Sequence, residues 1–364
     1  MARNSVCLRV VVCHHEKMRN PKVLIVITLL NGLISGGAQA AISLDITNRQ
    51  YLDPAIQATL DTVADTLENN FNTLFTSTGS TEFLTEMGNA NAGATRSIMV
   101  PGTSENARYT ASFGLNGALS GGTAVTAAAN TLPGVGLAAH GGISLSANGE
   151  IIKLFRGLDA KRVMYHLSFY SLDLSSYFSA SGIEMDSLQV SAAVSYQIYH
   201  TESWLPIVRF NGIRVASGLS YGSFNASYTA PFTLSSGGVN MNSDITLTSN
   251  SKIYTWSNQV VTGVHLLSVL DFYTGLGIDF NFGSTSLDGS SENGAVSAKN
   301  GAGASVFSGD ATIAGSANSA APTILQMRYL LGTQMNLGPL GVFLTGQIST
   351  PTVLCLNFGA KLAF

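Results

Sequence analysis

Few residues of this chain have the chemistry for a reactive site, and their positions limit what that chemistry can be. The 364 residues include six histidines and three cysteines. Cys7, Cys13, His14 and His15 form a cluster whose ligand types could hold a metal ion. They stand, however, ahead of a complete export signal. Met18-Arg19-Asn20-Pro21-Lys22 is its basic segment, Val23 to Ile34 its apolar stretch, and Ala38-Gln39-Ala40 the small-residue cleavage site before Ala41. Residues 1–40 therefore read as a leader with translation expected from Met18, and the metal cluster is lost with it. Ala41 in place of a cysteine after the cut argues against a lipid anchor. Cys355 is then the one cysteine left, which excludes an internal disulfide.

The other candidates are polar residues set among apolar ones. Asp279, Asn281, Gln326 and Arg328, with His140 and Lys361, recur at positions where a strand would turn them all to one side. Gly275-Leu276-Gly277 is no phosphate loop, because it lies inside a strand pattern and no helix follows to offer its N-terminus. No catalytic, cofactor-binding or metal-binding set is expected in the mature chain, and no enzyme activity.

What could position such residues is indicated by composition. The chain is 45% hydrophobic and 11% charged, with a mean hydropathy of +0.25 and 38 glycines. A soluble domain carries about a quarter charged residues. The net charge of −3 and the hydrophobic content exclude intrinsic disorder, and a pI near 6.0 with scattered Lys and Arg leaves no basic footprint for nucleic acid. A membrane is implied, yet only the leader approaches the ~18 apolar residues of a spanning helix. From Ala41 the balance is 13 Lys and Arg against 20 Asp and Glu, a charge of −7.

Much of that acidity lies in a helical stretch. Asp53-Pro54 supplies a cap and a first-turn proline, and Ile56, Leu60, Val63, Leu67, Phe71 and Leu74 then fall on one helical face, with Asp61, Asp65 and Glu68 off it. A second short helix is expected over Thr81 to Met87, ended by Gly88, followed by a polar linker from Asn89 to Glu105. The helical stretch is either packed on a neighbour or a plug or partner-binding element.

From Arg108 the period changes to two. Leu188, Val190, Ala192, Val194, Tyr196 and Ile198 alternate with Gln189, Ser191, Ala193, Ser195 and Gln197. The same alternation occupies 109–119, 135–146, 163–174, 213–228, 253–266, 272–283, 325–337, 340–348 and 354–364. These make about ten strands, each with an apolar face and a small or polar one, of the ~9–11 residues or more that a tilted membrane strand needs. Compact connections alternate with looser ones, of which Asp288 to Ala321 is the longest and reads as a mobile outer loop without an apolar anchor cluster. Outward Tyr109, Tyr165, Phe272 and Phe364 would mark one interface, and Tyr221, Tyr254, Trp256, Phe280 and Phe282 the other.

The chain end carries a family resemblance. Asn357-Phe358-Gly359-Ala360-Lys361-Leu362-Ala363-Phe364 resembles the C-terminal assembly signal of Gram-negative outer-membrane β-barrel proteins, on the strength of Asn357, Gly359, Leu362 and Phe364. The resemblance implies recognition of this last strand by the barrel-assembly machinery. The fold expected is an all-β membrane protein, an antiparallel up-and-down transmembrane barrel of about ten strands (12 to 14 being possible) with a short N-terminal α-helical extension. Its parts would be the leader 1–40, an acidic helical periplasmic or plug segment with linker over 41–106, and the barrel over 107–364. The expected location is the cell outer membrane, with long loops outside, both termini periplasmic, and outer-membrane lipid as the surroundings.

The inward face would comprise Ser112, Asn116, His140, Ser144, Gln189, Ser195, Arg214, Asn281, Gln326, Arg328, Gln334, Asn357 and Lys361, with Asp279 and Arg328 close enough to meet. Such a wall tolerates water, so the expected function is a porin-like passive channel for small solutes. Ten strands make it narrow, and a helix would hardly fit inside, which places the helical segment below the barrel. The alternatives are an uptake channel for hydrophobic molecules such as fatty acids, and a surface adhesin or structural barrel. Fatty-acid transport barrels are larger, and the Asn-Pro-Ala type of motif sought near their N-terminus is absent. Outer-membrane proteases of similar strand number set His and Asp at the outer rim, whereas here His166, His200 and His265 map to the periplasmic ends and His140 to mid-barrel.

Overall fold

A strand with one apolar face buries it against a core or turns it to lipid, and its backbone needs partners on both edges either way. The computed structural model shows how this chain meets both demands. It describes residues 41–46, 78–96, 107–121, 135–150, 158–178, 182–199, 202–205, 207–236, 239–267, 269–299 and 304–364, together with Pro54, Gln57, Ala58, Leu60, Asp61, Thr62, Asp65 and Asn69. The leader, the linker over 97–105 and the apolar stripe positions Ile56, Val63, Leu67, Phe71 and Leu74 lie outside the described residues, as does His200.

In chain order the elements are β1 (Ala41–Ile46), α1 (Thr78–Ala94), β2 (Tyr109–Gly121), β3 (Val135–Asn148), β4 (Val163–Asp173), the single turn α2 (Ser175–Phe178), β5 (Ile183–Tyr199), β6 (Glu202–Leu205), β7 (Val208–Ser236), β8 (Val239–Leu266), β9 (Leu270–Lys299), β10 (Ser305–Ala320), β11 (Leu325–Leu337), β12 (Leu340–Ser349) and β13 (Val353–Ala363). Every strand pair is antiparallel. Strands β2, β3, β4, β5, β7, β8, β9, β11, β12 and β13 pair in succession, and β13 returns to β2, so these ten close into a ring. The last strand runs in unbroken register from Val353↔Ser120 to Ala363↔Thr110. Ten is the number the alternation implies, and the remaining three strands add to the sheet without entering the ring.

Burial follows the alternation. In β11 the pattern runs exposed-buried from Leu325 through Met335, with Gln326, Arg328 and Gln334 inside and Leu325, Met327, Tyr329 and Leu331 outside. Leu167, Leu219 and Leu276 are 63%, 66% and 67% exposed, a state that water would oppose and lipid welcomes. Tyr109, Phe272 and Phe364 crowd one end of the outer face, and Tyr254, Trp256 and Phe282 the other. Trp256 stacks on Phe280 at 5.4 Å between ring centroids, and Tyr221 meets Tyr254 at 4.9 Å. Ten residues of tilted β9 separate Phe272 from Phe282, roughly the 25 Å of an outer-membrane apolar band. The molecule is an outer-membrane-type transmembrane β-barrel.

The two barrel ends differ. At the end that holds Phe364, β11 and β12 are joined by a tight turn at Gly338-Pro339 and β8 and β9 by residues 267–269. At the other end β7, β8 and β9 run on for 29, 28 and 30 residues, far more than a membrane span requires. β10 pairs with the far half of β9, and β1 pairs with β10 from Ala41↔Ser316 to Ile46↔Ala311. The stretch from Asp288 to Ala321 is therefore ordered strand over most of its length, which corrects the mobile-loop reading. Its apolar residues are sparse but in phase: Val296, Ala298, Ala311, Ile313 and Ala320 point inward and pack with Val239, Met241, Ile245 and Leu287. Leu60 and Leu84 cover this second core from the helical side, both with at most 1% of their surface exposed.

That cover also corrects the placement of the helical segment. Leu60 and β1 lie at the extended end, opposite Phe364, and not below the barrel beside it.

Candidate functional site: the plugged lumen

The lumen is filled by α1, against the expectation that a helix would hardly fit. The predicted short helix ends at Met87, but the observed one continues through Gly88 to Ala94, across six residues of the expected linker. Two interior glycines cost a free helix about 1 kcal/mol each, so propensity does not hold this one. Enclosure does. Ala90, Ala92 and Ala94 are fully buried, and the helix touches the inward faces of β2, β3 and β13 on one side and of β7, β8 and β9 on the other.

The fit depends on missing side chains. A Cβ on Gly93 would stand 2.8 Å from Cys355 Sγ and 2.9 Å from Val353 Cγ1. From the wall, a Cβ on Gly136 would overlap the Glu86 carbonyl, and one on Gly222 would overlap Thr95 Cγ2. A Gly/Ala helix against Gly-relieved strands is slimmer than the usual 10–12 Å cylinder, and ten strands then suffice to surround it.

Polar groups hold the helix in place. Near its middle, Ser120 donates to Glu86 Oε2, and Asn89 Oδ1 accepts from Thr323 N at 2.7 Å and from Gln326 Nε2 at 3.0 Å. Two residues on, Asn91 Nδ2 donates to Ser251 O at 3.2 Å while its Oδ1 meets His140 Nε2 at 3.0 Å. The last carbonyls, which no further turn can satisfy, find wall amides instead. Asn116 Nδ2 reaches Ala94 O, and Gln189 Nε2 reaches Thr95 O at 2.7 Å.

Arg96 completes the attachment two residues past the helix end. Its Nε lies 2.9 Å from Asp279 Oδ2, and Arg328 Nε lies 3.1 Å from the same oxygen. Ser257 donates to the other carboxylate oxygen and accepts from Arg328 at 2.9 Å; Arg328 also donates to Gln347 at 3.0 Å. Arg96 donates to Gln326, to Ser349 at 3.1 Å and to Cys355 Sγ at 3.7 Å. All three ionic side chains are at most 2% exposed. Two guanidiniums share one carboxylate, so the cluster carries a surplus positive charge spread over neutral acceptors. The chemistry of such a site is attachment: it positions a chain segment through paired charges and hydrogen bonds.

Of the six expected lumen residues, His140, Gln326 and Asp279 touch the plug directly. Arg328 acts through Asp279, and Asn281 through Thr255, whose Oγ1 donates to it at 3.0 Å and lies 3.4 Å from Thr95 Oγ1. Lys361 is buried nearer the Phe364 end, on β13 opposite Gly341 and Ser112. A second carboxylate, Asp271, binds His265 Nδ1 and Asn336 Nδ2 at 2.6 Å and Asn211 Nδ2 at 3.1 Å close to that end. Sequence reasoning missed Asn89, Asn91, Thr95 and Arg96, because a run rich in Asn, Gly and Ala looks like linker, and it gave Glu86, inside the expected short helix, no partner. The available signal was Arg96 itself, a lone cation trailing a segment of small residues.

The sequence matches one family model over residues 37–364, which takes in the plug and the whole ring. The chain belongs to the Lsa36-like family. No curated relative matches the Lsa36-like chain. Among solved structures it is similar to the translocator domain of the autotransporter NalP from Neisseria meningitidis, at 10% identity, with 70% of this chain and 88% of that one covered and a TM-score of 0.31. A major outer membrane protein from Thermus thermophilus aligns at 15% identity over 70% and 99% of the two chains, TM-score 0.27. A FadL homologue of Pseudomonas aeruginosa aligns at 8% identity over 77% and 98%, TM-score 0.24.

Proposed function

We propose that this Lsa36-like protein is a plugged channel for small polar solutes, closed by α1 and opened when the segment from Thr78 to Arg96 leaves the lumen. The observation that carries the reading is the chemistry of the contact between helix and wall. A wall meant to stay filled can be apolar, and apolar packing would hold a helix more simply. Here, beside an apolar patch of Ala118, Ala138, Phe224, Val353 and Cys355, the wall offers Asn116, Gln189, Ser251, Thr255, Asn281 and Gln326, which water satisfies once the plug is gone. The same residues disfavour fatty-acid uptake, whose path would be lined by apolar groups.

Planar-bilayer recording of the intact protein and of a variant lacking residues 78–96 tests this. The intact protein is expected to stay near baseline and the deletion variant to show stepwise conductance. A deletion variant that keeps its β circular dichroism and its migration as a folded barrel, yet gives no steps, sinks the channel and leaves a structural or adhesive barrel.

The C-terminal strand is proposed as the assembly signal. Phe364 is 67% exposed, while Arg108 N and Tyr109 N both donate to its carbonyl, at 2.8 and 3.2 Å. Its ring is thus free for recognition while its backbone marks the seam. Deleting Phe364 is expected to lower the yield of membrane-inserted protein several-fold with little change in the melting of the inserted fraction; normal insertion overturns the assignment.

A further inference from the structure

We infer that the N-terminal segment of the mature chain reaches the outer face of the membrane through the lumen of its own barrel, which makes the barrel a conduit for the segment it then holds. The path is drawn by residues whose heights in the barrel are known. Ala41 to Ile46 pair with Ser316 to Ala311 of β10, and Leu60 belongs to one core with Val239, Met241 and Ile313, all beyond the closed ring at its extended end. Helix α1 descends from there, with Leu84 in the same core and Asn91 against Ser251, and Arg96 meets Asp279 deeper in the lumen. The next described residues are Ala107 and Arg108, and Arg108 is bonded to Phe364 at the opposite end. A chain that is enclosed by the ring at Arg96 and stands at opposite ends before and after it has been threaded.

Which end faces outward follows from the connections. Outer-membrane barrels carry tight turns on the periplasmic side and long extensions outside. The turns at Gly338-Pro339 and 267–269 lie at the Phe364 end, and the long β7 to β10 sheet at the other. An exported chain starts in the periplasm, so residues 41 to about 80 cross to the outer face, and the lumen is the route that leaves the observed threading. The sequence of the segment suits the passage. It lacks cysteines that could lock it by disulfides. The part left behind in the lumen, α1, carries mostly Ala, Gly, Asn and Thr.

Single cysteines read this topology in cells that express the full chain, in a background with Cys7, Cys13 and Cys355 replaced by serine. Asp65→Cys, at an exposed helical position of the N-terminal segment, is expected to react with a membrane-impermeant maleimide as fully in intact cells as after outer-membrane permeabilisation. Ala58→Cys gives a second, independent site should the first impair folding. Lys161→Cys, exposed between β3 and β4 at the Phe364 end, is expected to react only after permeabilisation. Protection of Asp65→Cys and Ala58→Cys in intact cells, with labelling restored on permeabilisation, overturns the inference. The outcome does not depend on conductance, so the channel reading stands or falls separately.

Discussion

Asp279→Ala is expected to loosen the lumen segment by about 3–5 kcal/mol, the cost of leaving buried charge without its partner. The direction comes from a charge count. Arg96 and Arg328 both lean on Asp279 Oδ2, so its removal leaves two buried guanidiniums side by side with only neutral acceptors. Arg96→Met removes the surplus charge instead and leaves the Asp279–Arg328 pair one to one, with Ser257 still bridging. Its effect is therefore expected to be the smaller, although it too detaches the segment from Gln326 and Ser349. The readout is amide exchange over α1 in the folded barrel. At about 1.4 kcal/mol per decade, Asp279→Ala should speed it by roughly two to three and a half decades. The double variant Asp279→Ala/Arg96→Met should come out nearer to wild type than Asp279→Ala alone. If Arg96→Met exceeds Asp279→Ala, the three charges are not balanced as drawn.

Gly222→Val is expected to expel the helix by steric means while leaving the ring closed. Gly222 sits in β7 between Gln189 and Ile253, and its backbone ladder is unaffected by a side chain. Its missing Cβ is what admits Thr95 and, at 3.2 Å, Asn91 Oδ1. Overpacking of this kind costs about 1–3 kcal/mol. Because the barrel wall is a continuous hydrogen-bonded sheet, whereas α1 is joined to it only through side-chain packing and side-chain hydrogen bonds, the helix yields first. Bilayer recordings of Gly222→Val should show openings that wild type lacks. Gly117→Val is the control, since a Cβ there meets nothing within 4 Å on the outer face. Equal behaviour of the two variants would mean that the plug does not rest against β7.

The two variants probe different parts of one attachment. Charge fixes the helix end at mid-lumen, and small residues let the helix body pass. Neither role is visible in strand alternation, which reports only that a side chain points inward and not what it meets there.

The amino-acid sequence determined the wall. Alternation of apolar with small or polar residues is a local property of each strand, and it gave the ten ring strands, the inward set from Ser112 to Lys361 and the aromatic bands, because lipid on one side and a polar interior on the other sort residues one by one. The pairing of Asp279 with Arg328 was legible for the same reason, since neighbouring strands in known register bring fixed heights together. Tertiary structure alone decided what fills the ring. The fit of α1 depends on Gly93, Gly136 and Gly222 coinciding across three elements far apart in sequence, and no periodicity records a coincidence. The sheet over 285–299 and 305–320 became ordered through a core that Leu60 and Leu84 complete from outside the strands. A stretch of Gly, Ser and Ala carries too little apolar surface to declare such a core alone, and Arg96 read as linker until Asp279 stood opposite it.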